Sequence, residues 1–199
     1  MVMTEMFHQS ADCSQVGKAA HVWRHPQAMQ VAGRCIGHTD VTVMPRKARR
    51  LAYRIRKFAS VNRLPACIWT SDLQRSLCVG RVLAGWGWTH RVDRDLREVD
   101  FGRWDGLAWV DIPPDEIDAW AKDLLHHAPG GGESVKQLLR RVSRCLARLP
   151  ANAMVVGHGG WMSAAYWQLD ASGTKPTAMN WPRAPRHGQL TRLALPPIG

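Results

Sequence analysis

The sequence predicts an α/β fold, a three-layer α/β/α sandwich around a mostly parallel sheet. Two observations carry this reading. Short apolar runs of strand length alternate with longer stretches whose apolar residues recur at helical spacing. Two of the runs, His21-Val22-Trp23 and Ala153-Met154-Val155-Val156-Gly157, lead straight into Arg24-His25 and His158. Strands that end this way deliver polar groups to one sheet edge, where open α/β sheets bind ligands.

The elements follow in order. After the first strand comes a Gly-rich, polar loop from Pro26 to Pro45. Arg46 to Ser60 reads as a helix with an apolar stripe of Ala48, Leu51, Ala52, Ile55, Phe58 and Ala59, its other face basic. Ala66 to Thr70 is a second strand, Ser71-Asp72 a cap for a helix reaching about Ala84, and Thr89 to Val92 a third strand. Asp95 to Gly132 is a long excursion with a short helix opening at Pro113-Pro114, since proline suits a first helical turn. Glu133 to Leu149 repeats Val135, Leu138, Leu139, Val142 and Leu146 at helical spacing, and Pro150 stops it. The His158 strand, a helix from Gly160 to about Gln168, and an alternating strand from Gln189 to Leu195 complete the chain.

At 199 residues the chain is expected to form a single domain over 20–199, with an insertion at about 95–132 and a flexible segment, 1–19, ahead of it. No apolar stretch reaches the length of a membrane span, and residues 1–18 lack the basic start and apolar block of a signal peptide. Five cysteines, with no CxxC, argue against a disulfide framework and fit a reducing cytoplasm. The net charge of +11 suits attraction of anionic substrates or nucleic acid. The ten tryptophans sit mostly in apolar segments without an aromatic-interleaved basic repeat, so no dedicated nucleic-acid binding is expected. His126-His127 diverge on a helix, whereas histidine ligands on one face need i, i+4 spacing. No metal and no organic cofactor are expected.

Two imidazoles and converging guanidinium groups suit the capture of a phosphoryl group and its attack by a histidine nitrogen. Four segments stand in one order: Arg24-His25; Thr70-Ser71-Asp72-Leu73-Gln74-Arg75; Leu96 to Gly106, with Arg97-Glu98 and Phe101-Gly102-Arg103-Trp104-Asp105-Gly106; and Val155-Val156-Gly157-His158-Gly159-Gly160. Together they resemble the histidine phosphatase superfamily, also called phosphoglycerate mutase-like, over residues 20–168. Gly33-Arg34-Cys35-Ile36-Gly37-His38-Thr39-Asp40 and Pro129-Gly130-Gly131-Gly132-Glu133-Ser134 are similar to its alpha-ribazole phosphatase-like branch.

The resemblance implies a phosphomonoesterase acting through a phosphohistidine on a small phosphorylated metabolite such as alpha-ribazole 5'-phosphate, in cobalamin biosynthesis. His25 is then the nucleophile, Arg24 and Arg75 clamp phosphoryl oxygens, and His158 donates to the same oxygens. Glu98 is the general acid, with Asp100 as its main rival. Gln27, Arg34, Gly37 and Gly159 are candidate substrate-binding residues. The chain departs from the family pattern in three places. Pro26 replaces the usual glycine and has no N–H to offer. Gln27 or Gln30 stands in for a common asparagine, or nothing does. Val79 sits where threonine is common. A mutase of the same superfamily and a catalytically weakened phosphate-binding module remain the alternatives.

Overall fold

The structure, a computed structural model, describes residues 18–170 and 173–195. A five-stranded sheet has the order β3-β2-β4-β1-β5, with β1 Ala19–Arg24, β2 Cys67–Thr70, β3 Thr89–Val92, β4 Ala153–Gly157 and β5 Leu190–Ala194. All neighbours run parallel except β5, which pairs antiparallel with β1. The expected α/β sandwich around a mostly parallel sheet is therefore present. The first strand begins at Ala19, inside the segment expected to hang free; residues 1–17 lie outside the described residues.

The helices are α1 Pro45–Val61, α2 Gln74–Ala84, α3 Pro114–Lys122, α4 Val135–Arg148 and α5 Gly159–Leu169. The connections through α1 and α2 step the chain from β1 past β4 to β2 and β3, and both helices pack on one face. Return through α4 and α5 fills the other. The alternation along β4 shows the two faces directly. Met154 and Val156 pack with Leu51, Ile55 and Leu83, whereas Ala153 and Val155 pack with Leu138, Val142 and Trp161. Trp23, Trp104 and Trp161 are among the most buried side chains, as core residues rather than exposed stacking platforms.

One boundary differs from expectation. Helix α2 starts after Leu73, and neither Ser71 nor Asp72 caps it. Both side chains are committed elsewhere. Ser71 binds His158, and Asp72 takes a bidentate pair from Arg97. The Gln74 amide donates instead to Asp40 at 2.6 Å. By contrast, Ser134 and Gln137 form a full capping box for α4. The excursion folds over the 26–45 loop as a small satellite core, in which Cys35, Trp104 and Ile112 are buried beside Phe101, Ile117 and Trp120. Among the described residues no helix is long and apolar enough to cross a membrane.

Leu138, 1% exposed, anchors α4 on the sheet. Leu138→Ala is expected to cost about 2–5 kcal/mol of stability, from lost burial plus a residual cavity. Urea unfolding followed by circular dichroism measures it.

Candidate active site

The register of β1 on β4 builds the centre. Arg24 stands opposite Gly157, and the His25 amide donates to the Gly157 carbonyl at 2.9 Å. His25 and His158 therefore emerge side by side, with ring centroids 5.0 Å apart. His25 is buried, and its Nδ1 lies 2.7 Å from the Pro26 carbonyl oxygen. A carbonyl only accepts, so Nδ1 carries the ring proton and Nε2 keeps its lone pair. Proline at position 26 lacks an N–H but supplies the oxygen that fixes this tautomer. Burial, then the charges of Arg75 and Arg24, hold the His25 pKa well below the usual histidine value, against the bond to the Pro26 carbonyl. Its ring is neutral at neutral pH.

His158 is fully buried, and burial followed by Arg75 likewise holds its pKa well below the usual value. Ser71 Oγ sits 2.7 Å from its Nε2 and accepts from the Leu73 amide at 3.3 Å. One hydrogen bond thus ties His158 Nε2 to the Ser71 hydroxyl and fixes the ring's orientation. The ring's Nδ1 is buried and has no protein partner among the described residues. The ring stands beside that of His25, with the centroids 5.0 Å apart.

The guanidinium groups are held by backbone carbonyls. Arg75, 1% exposed, donates to the carbonyls of Thr39, at 3.0 Å, and Gly37. Arg24 donates to the Pro185 carbonyl at 2.8 Å. The loop carrying Gly37 and Thr39 is itself fixed by Asp105, whose carboxylate accepts from the amides of Gly37, His38 and Thr39 and from the Thr39 hydroxyl. A side chain at residue 37 would put its Cβ 2.2 Å from the Val99 carbonyl oxygen, so glycine is required there.

Glu98 is the carboxylate that reaches the centre. Its Oε1 accepts from the amides of Val99, Gly160 and Trp161 at 3.1, 2.8 and 3.2 Å. The amides at the start of α5 thus serve Glu98 rather than a phosphate. The backbone of this segment is braced by Arg141, which donates to the carbonyls of Asp95, Arg97 and Glu98 and pairs with Glu133. Asp100 accepts from Gly102 and faces His38, and Asp95 pairs with Arg144 and Arg148.

These groups surround a cavity of about 290 Å³. Arg24, His25, Arg75, Glu98 and His187 form its polar end, and Val31, Ile36, Phe101 and Trp109, with Arg34, form the remainder. Of the residues singled out in the sequence, Arg24, His25, Arg34, Arg75 and Glu98 meet here, and the fully buried His158 stands against His25. Gln27 points elsewhere, exposed and 3.4 Å from Lys47 Nζ. Gly37 and Gly159 do not line the cavity. Gly37 acts through Arg75, and Gly159 leaves room for Arg24, whose Nη2 would lie 3.2 Å from a Cβ there. His187, Ser71 and Arg141 escaped the sequence reading as site residues, and Asp105, in reach of the Glu98 motif as a rival acid, instead fixes the 37–39 loop. His187 had one signal, its position just ahead of a last strand that returns beside the first. His126 pairs with Asp123, and no group of three potential metal ligands occurs among the described residues.

The chain matches the family model of the histidine phosphatase superfamily (branch 1) over residues 20–195. It is 30% identical over 169 residues to phosphoglycerate mutase-like protein 4 of Arabidopsis thaliana, covering 77% of this chain and 72% of that one. It is 33% identical over 137 residues to glucosyl-3-phosphoglycerate phosphatase of Mycobacterium tuberculosis, covering 60% and 59%. It is 30% identical over 120 residues to adenosylcobalamin/alpha-ribazole phosphatase of Salmonella typhimurium, covering 56% and 58%. Among solved structures, mycobacterial glucosyl-3-phosphoglycerate phosphatase in complex with VO3 superposes with a TM-score of 0.69 at 29% identity, covering 88% of this chain and 92% of that one. The alpha-ribazole phosphatase of Shigella flexneri shares the fold, with a TM-score of 0.71 at 23% identity and coverage of 87% and 89%.

Asp105→Ala removes the acceptor of the 37–39 loop and so frees the loop that positions Arg75. The expected result is a loss of about 2–5 kcal/mol of stability, since bonds to a charged acceptor are worth more than neutral ones. Affinity for inorganic phosphate should fall at least about tenfold alongside it. Urea unfolding and phosphate titration by calorimetry read the two effects.

Proposed function

The chain belongs to the histidine phosphatase superfamily, branch 1, and from that premise we propose that it is a phosphomonoesterase working through phospho-His25. The observation that carries this is the state of His25, a buried neutral imidazole whose Nδ1–H is tied to Pro26 and whose Nε2 lone pair is free between Arg24 and Arg75. That is a nucleophile held ready beside two fixed cations.

The two half-reactions follow. His25 Nε2 attacks phosphorus, the ester P–O bond breaks, and the leaving oxygen takes a proton from the Glu98 carboxyl. Water then attacks the phosphohistidine. The P–N bond breaks, Glu98 recovers a proton from that water, and inorganic phosphate leaves. Arg24 and Arg75 neutralise charge on the phosphoryl oxygens, and His158, beside His25, donates to the same oxygens. Gly37 and Gly159 act by making space for this arrangement, and Arg34 meets the organic part of the substrate.

We infer a substrate class from the rest of the cavity. Phe101 and Trp109 offer aromatic surfaces, Val31 and Ile36 apolar ones, and Arg34 one cation. A ribosyl phosphate bearing a flat aromatic base, such as alpha-ribazole 5'-phosphate, suits these walls, and a relative is named for that activity. This assignment implies a role in cobalamin biosynthesis. Arg34 favours a second reading, a phosphorylated sugar acid of the kind another relative's name carries. The four described cysteines are free thiols, which suits action in a reducing cytoplasm.

Incubation with p-nitrophenyl phosphate, alkaline quenching and peptide mass spectrometry should show an acid-labile phosphoryl group on residue 25 in the wild type and neither adduct nor turnover in His25→Ala. Glu98→Gln should lower kcat by about 10²–10⁴-fold with an alkyl ester, and far less with the p-nitrophenyl ester, whose leaving group needs no proton. Because the His25 pKa lies well below 6.5, its neutral form persists as pH falls through that value. The acid limb of kcat/KM assigned to His25 is therefore expected well below pH 6.5, measured as a pH–rate profile. Absence of any adduct and any phosphate release across aryl, ribosyl and sugar-acid esters would overturn the proposal.

A further inference from the structure

His187 belongs to none of the four segments that marked the site, yet it lines the same cavity as His25. The two rings stand 5.2 Å apart at their centroids, and His187 Nδ1 lies 3.2 Å from the His25 carbonyl oxygen. That carbonyl can only accept, so Nδ1 carries the proton and Nε2 is the atom left for a ligand. In-line attack by His25 puts the leaving oxygen opposite its Nε2. A group beside the nucleophile therefore meets the equatorial phosphoryl oxygens rather than the leaving alcohol. Those oxygens need donors, and the glutamine nearest in sequence to the nucleophile, Gln27, is exposed and engaged by Lys47.

We propose that His187 is a third phosphoryl-binding histidine, whose Nε2 takes up a proton from solvent as a dianionic phosphoryl group enters and donates it to a phosphoryl oxygen. This rests on the phosphatase reading for its natural ligand, but the anion cradle can be tested without turnover. In the free protein His187 is half-buried, and burial, then Arg24, then Lys47, lower its pKa, against the bond to the His25 carbonyl. The charged and titratable groups around it are Arg24 at the end of β1 and His25 just after it, Lys47 and Arg54 from α1, Arg75 from α2, and Glu98 and Arg34 across the cavity. Cations dominate this set, so the ring starts neutral. An incoming dianion reverses the local field and draws a proton onto the one ring nitrogen left open.

Sulfate is the probe, because it stays a dianion at neutral pH and cannot bring a proton of its own. Calorimetric titration at pH 7.5 in two buffers of different ionisation enthalpy counts the protons taken up on binding. The variant is His187→Asn, whose amide N–H can keep the tether to the His25 carbonyl while removing the titrating nitrogen. His187→Gln serves as a second variant, and thermal unfolding checks that each is folded. The expected result is about one more proton per sulfate in the wild type than in either variant, with sulfate affinity at least about tenfold weaker in the variants. Equal proton counts in wild type and variants, or no sulfate binding by the wild type, would overturn the proposal. Failure of p-nitrophenyl phosphate hydrolysis together with an intact difference in proton count would sink the phosphatase reading and leave the anion cradle standing.

Discussion

The parallel pairing of β1 with β4 is the constraint on which the rest of the site depends. One hydrogen bond, from the His25 amide to the Gly157 carbonyl, sets where both strands stop being sheet. Slipping that register by one residue would turn Arg24 and His25 to opposite faces, because side chains alternate along a strand. Core packing prevents the slip. Trp23 and Met154 are committed to the cluster under α1 and α2, and Val22 and Val155 to the cluster under α4 and α5. The hydrophobic core thus fixes the position of the nucleophile from both sides at once, and β5 fixes it from the third by bringing residues 185–189 against Arg24 and His25.

Around that fixed point the site is held by backbone groups more than by other side chains. Carbonyls of Gly37, Thr39 and Pro185 grip the arginines, and amides of Val99, Gly160 and Trp161 grip Glu98. Backbone groups do not titrate, so the geometry survives changes of pH that would loosen ion pairs. The braces that do use charge stand one layer out. Arg97 pairs with Asp72, Arg141 with Glu133, and Asp105 gathers the loop amides. These outer residues secure the loops and leave the inner charges unspent.

Legibility in the sequence follows from this layering. Residues that act at the tips of apolar runs were readable, because a strand ending in Arg-His or Gly-His leaves a local pattern. Both strand tips were legible that way, whereas Arg75 and Glu98 came only with the family resemblance of the segments that hold them; Arg24, His158, Arg75 and Glu98 all meet around His25. Gly37 and Gly159 were candidate substrate contacts, and neither lines the cavity. They clear space for neighbouring groups, and a glycine's sequence does not say whether its room is meant for ligand or for protein. Ser71 and Asp72 looked like a helix cap because both residue types cap helices. Their actual partners, His158 and Arg97, are remote in sequence and meet them only in the fold. His187 was hidden for the same reason. Its place beside His25 depends on the antiparallel return of β5, which no local periodicity announces.

The distribution of positive charge gives the arrangement its chemical sense. Among the described residues Arg24 and Arg75 form no ion pair, while the arginines of the outer layer mostly do, Arg97, Arg141, Arg144 and Arg148 among them. An acid beside Arg24 or Arg75 would stabilise the empty protein and compete with an incoming phosphoryl group. Carbonyls hold the same guanidinium groups in place without a direct ion pair, although both feel the charge of Glu98 across the cavity, and the two cations then act twice. They draw a dianion into the cavity, and, together with burial, they keep His25 and His158 unprotonated. A protonated His25 could not attack phosphorus. The field that attracts the substrate is thus the field that keeps the nucleophile reactive, and both would weaken if either arginine acquired an acidic partner.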